Sequence, residues 1–151
     1  MNSYEIGGFQ VFGLVAARAG YVISQEKNIQ ELLKIRGPYD VNMFAKTAVL
    51  AALNDIQYAE KYVKEIMLIA KPKLEKFLEA KGIIFLPSGG NFLLLKIENP
   101  EGVIKALKEK GILVRPKVCP DGKDAVRVSI GTLKDTEQFI KVFKETIDNI
   151  F

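Results

Sequence analysis

The sequence predicts an α/β fold: a two-layer ββαββα sandwich over residues 83–151, preceded by a helical stretch. Three observations lead there. Ile56, Ala59, Val63, Ile66, Met67 and Ala70 recur at helical spacing, and that long period stops at Gly82. Beyond it come short apolar runs around glycine turns, "IIFLPSGG" and "NFLLLKI", which read as strands. The composition, 48% hydrophobic and 26% charged, lets a chain of 151 residues bury a sizeable core.

Taken in order, residues 13–24 read as a glycine-marked turn followed by a short strand, "AGYVIS". Asn28 is a candidate N-cap for "IQELLKI", because its side chain can accept from backbone N–H groups two or three residues on. Gly37 and Pro38 stop that helix, and "GPYDVN" makes an extended link. A helix over Met43–Leu53 is alanine-rich and apolar on most sides, which predicts burial. The next begins near Asp55, is expected to kink or restart at Pro72, and stops at Gly82. After strands at 83–90 and 91–97, Asn99 caps and Pro100 opens a compact helix. A strand "ILVRP", a loop "KVCPDGKDA", a strand "VRVSIG" and a last helix from Leu133 complete the order. Alternation puts Val126 and Val128 on one face of its strand, and Arg127 and Ser129 on the other.

Charge and residue usage exclude several functions. The net charge is +4, but lysines interleave with glutamates in "EKYVKE" and "KPKLEKFLEAK", the pattern of solvated helix faces. A nucleic-acid partner would call for a basic cluster with aromatics between, and none occurs. No apolar run reaches the ~18 residues that span a bilayer, so no membrane partner is expected. The opening "MNSYEIGGFQ" lacks the basic and apolar regions of a signal peptide. Histidine is absent, which removes the usual metal ligand and the usual general base, and no metal site is expected. Cys119 is the one cysteine: it cannot form an internal disulfide, which points to a reducing cytoplasm, and it has no histidine to activate it.

Five segments carry a resemblance. "FGLVAARAGYVIS", "RGPYDVN", "GGNFLLLKI", "GILVR" and "VRVSIGT" stand in the order seen in the second half of pyridoxal-phosphate-dependent aminotransferases. The chain resembles the fold-type-I superfamily, and within it most the histidinol-phosphate aminotransferases. The resemblance implies a remnant of the large cofactor-binding domain at 1–54, a connecting helix at 55–82 and a small C-terminal domain at 83–151. It also implies residues that this chain lacks, namely the aspartate that pairs with the pyridine nitrogen and the aromatic residue that stacks on the ring.

Residue by residue, the resemblance assigns roles. Aligned on Phe12, Gly13, Leu14, Arg18, Gly20 and Tyr21, the family's catalytic lysine falls on Gln10 and its preceding serine on Phe9. That lysine bonds covalently to the cofactor aldehyde and moves a proton, and a glutamine amide does neither. No catalytic residue is therefore expected, and pyridoxal phosphate is expected at family level without a covalent link to this chain. Arg18 aligns with the arginine that holds the cofactor phosphate; its alternative is a solvated arginine at a strand start. Arg127 aligns with the clamp on the substrate α-carboxylate, and otherwise lies on the wet face of the sheet. Arg115 aligns with a contact to the substrate phosphate, and otherwise is an exposed strand-end arginine.

Tyr39 and Asn42 match a segment beside the active site in which Asp40 replaces the usual asparagine; their alternative is a plain turn. Asn91 lies where a small-domain loop meets substrate, and is equally well a turn former after two glycines. Three functions stay open at this point. One is an aminotransferase-derived piece without independent transamination. Another is a non-enzymatic interaction module that dimerises or binds a partner. The third is one half of a split enzyme whose N-terminal half supplies a lysine. In each, apolar Phe44, Val49, Leu50 and Leu53 call for a homodimer or an element-swapped oligomer.

Overall fold

A computed structural model describes residues 5–8, 10–38 and 40–150. The chain is mixed α/β, as the sequence predicts. It divides into two compact units, residues 1–60 and 61–151, and the division falls inside a helix.

The first unit pairs two short strands, β1 (Glu5–Gly8) and β2 (Gly20–Ile23), antiparallel with Glu5 opposite Ile23. Helix α1 (Glu26–Ile35) starts earlier than expected. Asn28 does not cap it: its amide donates to Ser24 Oγ at 2.9 Å, and Gln25 occupies the cap position without a side-chain bond. Helix α2 (Met43–Asn54) is capped by Asn42, whose Oδ1 accepts from the Ala45 N–H at 2.8 Å. Its expected burial is not found. Ala45 alone is buried on it, and Phe44, Leu50 and Leu53 are exposed, with Val49 half-buried. A helix apolar on most sides states what it prefers to face, not that the covering surface lies in the same unit.

Helix α3 (Ile56–Glu65) leads through a π-helical turn, Ile66–Ala70, into α4 (Lys71–Ala80). The helical run continues through Pro72, and the disturbance expected there takes the form of the π-helical turn just before it. Proline has no N–H to donate and its ring collides with the carbonyl four residues back. The widened turn accommodates that carbonyl, and the Lys71 N–H bonds instead to Ile66 O.

Strands β3 (Ile84–Leu86), β4 (Phe92–Lys96), β5 (Arg115–Val118) and β6 (Asp124–Ser129) form one antiparallel sheet in the order β3-β4-β6-β5. Helix α5 (Pro100–Glu109) joins β4 to β5, and α6 (Leu133–Ile150) closes the chain. Asn99 caps α5 as expected, accepting from Gly102 N–H at 3.0 Å. The strand expected at 112–116 begins later, because Ile112 N–H is used to close the end of α5 on Leu107 O at 2.9 Å. Ile83 closes α4 on Leu78 O in the same way. Both closures need a left-handed residue just before them, supplied by Gly82 at φ 67° and Gly111 at φ 79°.

One face of the sheet builds the core. Leu93, Leu95, Val126 and Val128 meet Ile66, Ala70, Leu74 and Leu78 from the preceding helices, Val103 and Leu107 from α5, and Phe139 and Phe143 from α6. Phe143 stacks on Phe139 at 5.1 Å between ring centroids and meets Phe77 edge-on at 6.4 Å. Thr132 and Asp135 bond reciprocally around the start of α6. Glu65 adds an acceptor there, taking the Leu133 N–H at 2.9 Å. Phe143→Ala should leave a cavity that these elements cannot close, lowering stability by about 3–5 kcal/mol in urea unfolding followed by circular dichroism. A loss below about 1 kcal/mol would mean that Phe143 is not in the core.

Candidate anion-binding site

The second face of the sheet faces away from this core. Register places Arg127 directly between Leu94 on β4 and Arg115 on β5, with Ser129 opposite Phe92. Leu86, Phe92, Leu94, Arg115, Arg127 and Ser129 thus share one face, and none of them belongs to the core cluster. The expected alternation is found: Val126 and Val128 are buried, Arg127 is half-buried and Ser129 exposed. The Arg127 guanidinium lies over the Phe92 ring, 4.5 Å from its centroid. That contact stabilises by about 0.5–2 kcal/mol and leaves the edge of the fork free to donate.

Arg115 and Arg127 stand directly opposite each other on neighbouring strands. Like charges in such a pair repel. Among the described residues neither has a carboxylate partner. An anion between them converts the repulsion into two favourable contacts, and a guanidinium fork matches a carboxylate or phosphate.

The loop Ser88–Asn91 borders this face, because it leads directly into β4. Asn91 O accepts from Ile130 N–H at 2.8 Å, which ties the loop to the end of β6. Lys71 is 6% exposed, and its Nζ donates to Ser88 O and, at 3.0 Å, to Gly90 O. Sequence reasoning missed both Lys71 and Phe92. A signal for Lys71 exists: it interrupts the buried stripe of Ala70, Leu74 and Leu78, where a solvated lysine has no place.

The first unit holds the other expected residues. Arg18 is exposed and left-handed at φ 56°, the one described non-glycine residue with positive φ. For an L-residue this conformation costs about 1–2 kcal/mol, and such strain concentrates at functional sites. Asn42 is a helix cap, which accounts for its Oδ1. Arg36 pairs with Asp40 at 2.6 Å beside it, in a cleft of about 510 Å³. Gln10 lies in a 3₁₀ turn, Gln10–Phe12. Phe9 and Tyr39 fall outside the described residues. A second cleft, about 720 Å³ between the end of α4, β3 and α6, includes none of the three arginines.

A family model for aminotransferases of class I and II matches residues 11–143. The chain belongs to that family. It corresponds to the C-terminal part of a fold-type-I aminotransferase. It is 34% identical over 139 residues to the histidinol-phosphate aminotransferase of Caldicellulosiruptor saccharolyticus, covering 91% of this chain and 38% of the relative. With the enzyme of the same name from Shouchella clausii it shares 34% over 142 residues, again 38% of the relative. The chain therefore spans well under half the length of these relatives. Among solved structures, the histidinol-phosphate aminotransferase of Sinorhizobium meliloti in complex with pyridoxal-5'-phosphate superposes with a TM-score of 0.80 at 22% identity. It covers 98% of this chain and 42% of that one. The Clostridium acetobutylicum enzyme gives a TM-score of 0.77 at 24% identity, covering 97% and 46%. These likenesses establish the aminotransferase fold over both units.

The turn joining β5 to β6 is held from β4. Lys96 Nζ donates to Asp121 Oδ2 at 2.6 Å, and Lys123 N–H donates to Asp121 Oδ1 at 3.2 Å. The Lys96 bond, then the Lys123 N–H, holds the Asp121 carboxyl below its ordinary value. The same bond holds the Lys96 ammonium above its ordinary value. The aspartate's contribution is thus present above its unfolded pKa and lost as pH falls through the lowered one. The lysine's is present below its unfolded pKa and lost as pH rises through the raised one. Carboxyl NMR should show Asp121 titrating below an ordinary aspartate, and Lys96→Met should move the midpoint upward. An unchanged midpoint would remove Lys96 as the cause.

Proposed function

We propose that this chain supplies the anion-holding part of a pyridoxal-phosphate-dependent aminotransferase that acts on a phosphorylated amine of the histidinol-phosphate kind, and does not itself carry the covalent step. The observation that carries the reading is the Arg115–Arg127 pair, two arginines that are register partners on the sheet face turned away from the helical core. Arg127 holds the carboxylate of the amino-acid partner in the exchange and Arg115 the phosphate of the phosphorylated amine, with Asn91 on the loop beside this face. The 34%-identical relatives, which bear the name histidinol-phosphate aminotransferase, support that substrate class.

The cofactor fits this chain in part. Arg18 offers an exposed guanidinium with no ion-pair partner among the described residues, suited to a phosphate. Gln10 stands where the resemblance puts the lysine, and its amide nitrogen is neither nucleophile nor base, because its lone pair is delocalised. When bound, the cofactor supplies the electron sink of transamination. What this chain's residues supply is charge and position: Arg18 for the cofactor phosphate, and Arg115 and Arg127 for the substrate anions. Phe92, beneath Arg127, excludes water from one side of that guanidinium.

The exposed apolar side of α2, with Phe44 86% accessible, supports a further protein surface over this helix. A second copy of the chain, or a segment bearing the lysine and the ring-nitrogen carboxylate, meets that need. The chain alone, given pyridoxal phosphate and histidinol phosphate, should show no turnover and only the free cofactor's absorbance, and light scattering should give more than one chain's mass. Turnover lost in Arg127→Ala would show that another residue carries the covalent chemistry. A strictly monomeric mass would remove the assembly.

A further inference from the structure

We propose that Lys71 is a positioning residue for Arg127: by gripping the carbonyls of Ser88 and Gly90 it seats the Phe92 ring on which the guanidinium rests. The inference deepens the anion-site reading and rests on it. Its first observation is a buried charge. Lys71 is 6% exposed, and among the described residues it has no carboxylate partner, only the two backbone carbonyls. A buried ammonium held this way is no better for stability than an apolar side chain of similar volume. Its helix neighbours Ala70 and Leu74 are themselves buried and apolar. What an apolar side chain would not supply is the pair of donors to the loop.

The loop needs them. Gly89 and Gly90 give it more backbone freedom than any other residue would. The ties that restrict it are Lys71 on the two carbonyls, Gly90 N–H on Ser88 Oγ at 3.0 Å, and Asn91, whose O accepts from Ile130 N–H and whose Nδ2 donates to Ile130 O at 3.5 Å. The Gly90 backbone in turn abuts the ring of Phe92, since a methyl group placed on it would come within 3.1 Å of Cε1. The Phe92 ring underlies Arg127 at 4.5 Å. Lys71, Gly90, Phe92 and Arg127 thus form one contiguous series of contacts from the π-helical turn to the sheet face.

The test uses NMR of the ¹⁵N-labelled chain, reading the Arg127 Nε–Hε signal, which the Phe92 ring current displaces from an ordinary arginine. In Lys71→Met that displacement should fall by at least half, with the amides of Leu95 and Val126 unmoved, and Lys71→Arg should restore it. The dissociation constant for inorganic phosphate should rise roughly 3–10-fold in Lys71→Met, the range expected of coupling through contacts. An unmoved Arg127 signal in Lys71→Met overturns the proposal. If that variant unfolds, Gly90→Ala decides, because its methyl displaces the Phe92 ring with Lys71 intact. A shifted Arg127 signal there supports the series, and an unshifted one overturns it. Phosphate that leaves wild-type Arg127 undisturbed removes the anion reading, while the ring-current comparison still decides the positioning role.

Discussion

Two arginines facing each other across β5 and β6 set the terms for the rest of the second unit. Neighbouring strands hold opposed residues only about 5 Å apart at the backbone, and the Arg127 guanidinium leans toward β4, over the Phe92 ring. The sheet can sustain that repulsion because its other face is sealed by Leu93, Leu95, Val126, Val128 and the helices behind them. A sealed core fixes the register, and the register fixes the arginines. Side chains on β4 and β6 that point to the helices give stability. Those that point the other way are left for ligand chemistry.

The same division explains how the helices are built. The run from Ile56 to Ala80 could have broken at Pro72. It stays continuous through one π-helical turn, which places Lys71 inward at the loop before β4. Glu65, one position before that turn, holds the start of α6. A local irregularity that a proline demands thus sits between two long-range contacts, one to the loop and one to a helix end.

Much of this was legible in the sequence where a short-range rule decides the outcome. The faces of β6 follow from strict alternation, and the cap of α5 from Asn99 with Pro100. The π turn was not legible, because Pro72 announces a disturbance without saying which geometry absorbs it. β1 went unnoticed since "EIGG" is short and half glycine, and it exists through its pairing with β2. Asn28 was misread because the helix already starts at Glu26, which puts Asn28 inside the first turn, where its Nδ2 donates to Ser24 Oγ. At the site, motif resemblance singled out the charged ends Arg115 and Arg127. It could not reveal that they are register partners, nor that Phe92 and Lys71 support one of them, since pairing and burial are properties of the folded sheet.

The central claim is that the opposed arginines form a site whose repulsion an anion relieves. Thermal unfolding of Arg115→Met against the unaltered chain, at low ionic strength with and without inorganic phosphate, tests it most directly. Without phosphate the variant should be the more stable, having lost a like-charge pair. Phosphate should then raise the melting temperature of the unaltered chain more than that of the variant, as binding to the folded state requires. A variant that is less stable without phosphate, or equal stabilisation of both proteins by it, would contradict the account.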